Sequence, residues 1–178
     1  RLNPYYDLAL IYIQTNRLDE LIIIYQQILS LQETPDPQIL LSLGQIHLDL
    51  NQFKEAVETY RYFIRIESNG IYEGLGYYGL GFSYEALNDT MAAIENYIRA
   101  LERSPDMEQA RDRLSQLYMA KQKLEPARLL CGEAINIDST DFNSWFDIAY
   151  IYQQKGDTSL ASQTLVEVKE LFADNWRV

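Results

Sequence analysis

Five stretches of this 178-residue chain repeat one short pattern in one phase, and that periodicity restricts the fold more than any other feature. LALIY at 8–12, LGQIH at 43–47, LGFSY at 80–84, LSQLY at 114–118 and IAYIY at 148–152 each set an aliphatic residue beside a small one, with a ring three residues later. The small residues, Ala9, Gly44, Gly81, Ser115 and Ala149, stand 35, 37, 34 and 34 residues apart. Twelve positions after each comes Leu21, Ala56, Ala93, Ala127 or Ala161. Four further on comes Tyr25, Tyr60, Tyr97, Cys131 or Leu165. Three columns held in register over five copies define a repeat of 34 to 37 residues.

Within each copy the apolar residues recur at spacings of 3, 4 and 7, the helical period, so each copy reads as two helices of roughly 12–15 residues. The turn inside each pair carries Asn16, Asn51, Asn88, Gln122 or Gly156. Asn and Gly tolerate the left-handed conformation that ends a helix, which suits four of the five copies. Breaks between copies stand at Pro35-Asp36-Pro37, Ser68-Asn69-Gly70, Ser104-Pro105-Asp106 and Asp138-Ser139-Thr140-Asp141. Proline cannot continue a helix, and Ser, Asp and Thr cap the next one. Pro126 falls in the first turn of its helix, where no backbone donor is lost. Gly and Pro number 8 and 5, fewer than the roughly 20 of an average chain this long, so a many-stranded sandwich is disfavoured. The small columns let antiparallel helices approach closely. The rings at Tyr12, His47, Tyr84, Tyr118 and Tyr152 then fill the gap to the next pair, and no pair can bury its apolar face alone.

On these residues the chain resembles the tetratricopeptide repeat family, with five tandem copies at about 2–35, 37–70, 74–107, 108–141 and 142–175 in a single array over 1–178. Tyr5, Tyr77 and Trp145 stand where the family favours an early bulky aromatic, while Leu40 and Arg111 depart from it. Leu8, Leu43, Leu80, Leu114 and Ile148 match the family's aliphatic, and Pro105 its closing proline. Leu21 replaces the expected Ala, so the first copy is the least typical. The resemblance implies an all-α, right-handed α-solenoid of antiparallel helix pairs whose first helices line a concave groove.

The i, i+3, i+4 rule assigns an inward face to each first helix. The first copy presents Tyr6, Leu10 and Ile13, and the second Leu41, Gln45 and Leu48 with Asp49 at the rim. The third presents Tyr78, Phe82 and Glu85, the fourth Asp112, Gln116 and Met119, and the fifth Phe146, Tyr150 and Gln153. Family members that grip chaperone C-termini place Lys, Arg and Asn on this face to clamp carboxylates. None of the three residue types occurs here, which rejects such a clamp. An aromatic and aliphatic groove suits the apolar side of an extended peptide or amphipathic helix, with basic flanks meeting Asp49, Glu85 and Asp112.

Charge points the same way. The chain has 26 acidic and 15 basic residues, a net −11, and bulk repulsion excludes nucleic acid as a partner. Residues 133–174 hold eight acids against Lys155 and Lys169, either as a solubilising face or to steer a basic partner. The longest apolar run, 8–13, is far short of the ~20 residues of a membrane span. One Cys and one His exclude a disulfide framework and a Cys/His zinc site, and no cofactor is expected.

Several motifs imitate catalysis. Gly74-Leu75-Gly76-Tyr77-Tyr78-Gly79 satisfies GxGxxG but falls inside a helix of the repeat register, where it should make that helix pliable. His47 occupies a ring column, and Cys131 replaces a column Tyr as a small buried residue. Asp106 and Glu108 stand at a helix start and favour its dipole. Asn88-Asp89-Thr90 fits a glycosylation sequon at a turn that favours Asn in any case. The expected function is therefore a non-catalytic adaptor that binds a protein segment. The alternative is a scaffold that self-associates through its ends, at Ile22, Ile23 and Ile24 (where 21–25 is apolar all round) and at Trp176. The chain opens on Arg1, as a fragment or processed product would, with an upstream segment as another cover for that helix. Its targeting is unseen, with the cytoplasm favoured.

Overall fold

The computed structural model describes residues 3–67, 70–171 and 173. Among them the fold is all-α, built from antiparallel helix pairs as the periodicity requires. The helices form two compact units, residues 1–103 and 104–178. The first holds α1 (Asn3–Gln14), α2 (Leu18–Leu31), α3 (Pro37–Asp49), α4 (Phe53–Ile66), α5 (Glu73–Ala86) and α6 (Thr90–Arg103). The second holds α7 (Glu108–Ala120), α8 (Leu124–Ile137), α9 (Phe142–Gln154) and α10 (Thr158–Leu171). In each unit consecutive helices pack on one another, and in the first unit α3 also meets α5.

All five turns inside the pairs close in one way. Asn16, Asn51, Asn88, Gln122 and Gly156 have φ of 52°, 57°, 63°, 57° and 84°. The amide of the following residue donates to the carbonyl five residues back, at Tyr12, His47, Tyr84, Tyr118 and Tyr152, over 2.8 to 2.9 Å. The left-handed residue itself donates to the carbonyl three back, at 2.9 to 3.2 Å. This paired closure satisfies the carbonyls that a helix end leaves without partners. Gln122 adopts it without the help of Asn or Gly. Between pairs, carboxylates cap the next helix: Asp36 Oδ1 accepts from the Gln38 amide at 2.9 Å, and Asp141 Oδ1 from the Ser144 amide at 3.3 Å. Pro126 sits in the first turn of α8, as expected. The break at 68–70 lies partly outside the described residues.

The small columns are buried throughout. Ala56, Ala93 and Ala127 are fully enclosed, and Leu21 and Ala161 are also buried. Their purpose is clearest around the rings of α4. A Cβ on Gly44 would lie 2.7 Å from Tyr60 Cζ, and one on Gly79 2.3 Å from the same atom. Tyr60 is thus seated between α3 of its own pair and α5 of the next. A Cβ on Gly76 would lie 2.5 Å from Phe63 Cδ1, and one on Gly81 2.8 Å from Tyr97 Cδ1. Gly76, Gly79 and Gly81 of α5 are seats for rings, and that packing works against the pliability expected from low helix propensity alone. The GxGxxG run lies wholly within α5, without the strand and tight turn a dinucleotide site needs.

The ring and sulfur positions are structural. His47 is buried, with Nδ1 2.7 Å from Gln52 Oε1. Cys131 is buried in a cluster with Ala127 and Ile151, and burial, aided by the Asp147 charge, pushes its thiol up to about 12. Such a thiol is a poor nucleophile. Arg111, in the column where the other pairs carry Tyr5, Leu40, Tyr77 and Trp145, is 4% exposed and donates from Nη2 to the Pro105 carbonyl. The face expected to be apolar all round is corrected in part. Ile24 is 7% exposed and belongs to the core with Ile28 and Ile39, and Ile22 packs against that core, whereas Ile23 is 54% exposed. Trp176 lies outside the described residues.

The glycine seats make a paired prediction. Gly79→Ala forces the Tyr60 ring to move, and overpacking of this kind costs ~1–3 kcal/mol, more than the helix propensity gained. A Cβ on Gly132 in α8 meets nothing within 4 Å, so Gly132→Ala should stabilise by ~0.5–1 kcal/mol. Denaturant titrations of the full chain should move the midpoint down for the first variant and up for the second.

Candidate partner-binding surfaces

Five of the residues assigned to the inward face of α1, α3 and α5 meet at an open cleft of about 600 Å³ in the first unit. Ile13, Leu41, Gln45, Leu48 and Tyr78 line it, together with Leu18, Leu21 and Tyr25 of α2, Tyr60 of α4 and Leu75 of α5. No Lys or Arg is among its lining residues. Tyr6, Leu10 and Ile13 line an adjoining hollow of about 290 Å³ with Asp36 and Gln38. Exposures of 55% and 52% at Leu10 and Ile13 are unusual for large aliphatic side chains. Leu41 and Leu48 serve two purposes, since they also pack on the core formed by Ala56, Val57, Tyr60 and Leu80.

Polar groups at this surface are tied internally. Gln45 Nε2 donates to Asp49 Oδ1 at 2.9 Å, and Gln32 Nε2 to the Tyr6 hydroxyl at 3.2 Å. Burial raises the Tyr60 phenol above its ordinary range, with the nearby Asp49 charge and Tyr78 adding to it. Phe82 and Glu85 line neither cleft. Glu85 Oε2 accepts from the Tyr97 hydroxyl at 2.7 Å, and the Tyr78 and Tyr97 rings are 5.8 Å apart. The third copy's inward face is therefore partly occupied by its own second helix. The i, i+4 rule overlooked this because it takes one helix at a time.

In the second unit Asp112, Gln116 and Phe146 line a cleft of about 370 Å³ between α7 and α9. Phe142, Asn143, Ser144 and Asp147 complete it. These four were not assigned to the inward face, although continuing the stripe one turn toward the start of α9 would have reached Phe142 and Asn143. The Phe142 and Phe146 rings are 4.4 Å apart, inclined at 54°. Met119 is partly buried and packs against Ala127, Cys131 and Ile151, and it is not among the residues lining this cleft. Tyr150, 48% exposed, lies outside the cleft, as does Gln153. Three carboxylates set the local field. Burial, then the charges of Asp112 and Asp141, pushes Asp147 up to about 6. Burial raises Asp112 as well, followed by Asp141 and Glu108, with Arg111 and Arg113 opposing.

No group of three or more His, Cys, Asp or Glu side chains among the described residues is arranged to hold a metal ion. No described helix is long and apolar enough to cross a membrane.

The field makes the second unit sensitive to pH. Asp147 ionises near ~3.9 when unfolded and near about 6 when folded, so between these values the unfolded chain releases its proton first. Stability is full below the lower value and is lost as the pH rises through the upper one. The charged or titratable groups acting with Asp147 are Asp112 of α7, Cys131 of α8 and Asp141 at the start of α9. Asp147→Asn should therefore stabilise the protein by about 2 kcal/mol at neutral pH and by nothing below pH ~4, as denaturant titrations at the two pH values will show.

Comparison with known proteins agrees with the architecture. A MamA crystal structure superposes with a TM-score of 0.83 at 20% identity, covering 99% of this chain and 96% of that one. MamA from Desulfovibrio magneticus RS-1 gives 0.79 at 15% identity, with 99% and 97% covered. YrrB, described as a TPR protein with an unusual peptide-binding site, gives 0.75 at 18%, with 98% and 88% covered. No curated protein matches the chain. The tetratricopeptide repeat model matches residues 2–35, 37–69, 76–107 and 142–175. Residues 108–141, outside those matches, form the same helix pair with the same left-handed turn at Gln122. With the model covering most of its length, the chain belongs to the tetratricopeptide repeat family.

Proposed function

We propose that the protein is a non-catalytic adaptor that takes an apolar segment of a partner protein, as an extended peptide or amphipathic helix with basic flanks. The observation that carries this reading is the first unit's cleft: wide, aromatic and aliphatic, open to solvent and lined by no cation. Apolar clefts with a few placed polar groups are the usual form of a recognition site. Asp49, exposed at the end of α3, offers a carboxylate to a basic flank. A second acidic surface, around Asp112 and Asp147, favours positive charge as well. YrrB, which shares the fold, is described as having a peptide-binding site.

The test is capture of partners on the immobilised full chain. Ile13→Asp at the cleft, and separately Tyr78→Ala with Phe82→Ala, should each reduce capture about tenfold or more while far-UV circular dichroism is unchanged. A photoreactive residue at Ile13, which lines the cleft and is exposed, should crosslink the captured protein. Undiminished capture by both variants would exclude the cleft.

Self-association is a second reading with support of its own. Leu8 is 38% exposed, whereas its equivalents Leu43, Leu80 and Leu114 are 4%, 6% and 3% exposed. Leu165 is 45% exposed, whereas Tyr60, Tyr97 and Cys131 in its column are at most 2% exposed. Faces that bury these columns elsewhere stand open at Leu8 and Leu165, and Ile11 and Ile23 are 51% and 54% exposed. Sedimentation velocity over a wide concentration range should show growth in size if these faces pair, and Leu8→Glu should abolish it. A monomer throughout removes this reading.

A further inference from the structure

We infer that a hollow on a second side of α5, apart from the first unit's cleft, is a docking site for an acidic segment of a partner protein, with two carboxylates of that segment meeting Arg61 and Arg99. The inference goes beyond the adaptor reading and does not depend on it.

α5 is lined up with two different spaces. Leu75, Tyr78 and Gly79 border the apolar cleft, whereas Tyr77, Leu80 and Tyr84 floor a separate hollow of about 330 Å³. Its walls are α4 and α6, and each contributes one arginine, Arg61 from α4 and Arg99 from α6. The clefts that hold Ile13 and Asp112 have no Lys or Arg among their described lining residues. On a chain of 26 acidic and 15 basic residues, two arginines lining one hollow are a local reversal of charge.

The floor holds both guanidinium groups in place. Arg61 Cζ lies 5.8 Å from the centroid of the Tyr84 ring, and Arg99 Cζ 5.7 Å from that of Tyr77. Arg61 also donates from Nη2 to the Tyr84 hydroxyl. Rings that restrain long side chains in advance lower the ordering cost of binding. Tyr77 and Tyr84 are seven residues apart on α5, close to two turns, so they share one side of the helix at a separation of about 10 Å. About three residues of extended chain span that distance.

The hollow is rich in donors. A guanidinium carries five N–H groups. Arg61 gives one to Glu58 at 3.2 Å, and Arg99 gives one to Glu95 at 2.6 Å. Both are single contacts between exposed side chains of one helix, which contribute little and yield readily. The Tyr84 hydroxyl accepts from Arg61, which leaves its O–H to donate, and Tyr77 adds a second hydroxyl. Among the described residues of the lining only Glu95 is acidic. Such a set calls for acceptors that carry negative charge. An incoming carboxylate can take two parallel N–H bonds from a guanidinium, where each resident glutamate takes one. Two arginines this far apart suit two carboxylates on one segment better than a single small anion.

The probe is tetraglutamate, acetylated and amidated at its ends, titrated into the isotope-labelled full chain and followed by amide chemical shifts. Tetraglutamine with the same ends, N-acetylglutamate amide and inorganic phosphate are the controls. Tetraglutamate should give saturable shifts at Tyr77, Tyr84 and Asn96, with affinity about tenfold above N-acetylglutamate amide, and tetraglutamine should give none. Arg61→Gln and Arg99→Gln should each weaken binding about tenfold. Arg128→Gln, at an arginine of α8 paired with Glu125 outside the hollow, should leave it unchanged. The site is overturned by absence of saturation, by equal binding of tetraglutamine or of N-acetylglutamate amide, by saturation with phosphate alone, by unchanged affinity in both hollow variants, or by an equal loss in Arg128→Gln. Should one hollow variant lose its amide dispersion, the other variant and the tetraglutamine comparison still decide. Ile13→Asp should leave tetraglutamate binding as it is, so failure of the cleft and failure of the hollow are read separately.

Discussion

The seating of one aromatic ring in the gap left by two glycines is the interaction on which the first unit depends. Tyr60 projects from α4 into space that Gly44 and Gly79 leave vacant on α3 and α5, and it is 2% exposed there. A helix pair in isolation has no second wall for that ring. Stacking supplies the wall and buries an aromatic surface of the size that dominates core energetics. The intrinsic cost of helix-interior glycines, ~1 kcal/mol each against Ala, is offset by the contact they permit. The cleft on the inward side inherits its form from this arrangement, since Tyr60 and Gly79 are part of its lining.

The fold could be read in the sequence because its signals are local and repeated. A left-handed residue in each turn, a small residue in each crossing and a ring three positions on are each weak, but five copies in phase leave no competing register. Even Gln122, which lacks the usual turn chemistry, was placed correctly by its neighbours in the column. Properties that depend on more than one helix were harder to read. The sequence rule put Met119 on the inward face, and it also packs against Cys131, a contact that one helix by itself does not reveal. It put Glu85 on the inward face of the third copy, where the Tyr97 hydroxyl donates to it. It treated Ile22, Ile23 and Ile24 alike, although the helix leaves Ile23 outside and turns Ile24 under α1 and α3.

The two clefts differ in what they ask of a ligand. The first has breadth and apolar walls, so it rewards buried area and tolerates variation in sequence. The second is smaller, lined by Asp112, Asp147, Phe142 and Phe146. Apolar area supplies affinity, whereas an unpaired buried charge rejects ligands that cannot neutralise it.

The double seat of Tyr60 also bears on time. A phenol ring in an open core turns over about its axis whenever neighbouring side chains yield. Here backbone stands where side chains would yield, on two helices at once. Half-rotation therefore waits until α3 and α5 draw apart together, and the ring becomes an internal clock for the breathing of adjacent repeats, its edge protons exchanging places only as often as the stack loosens.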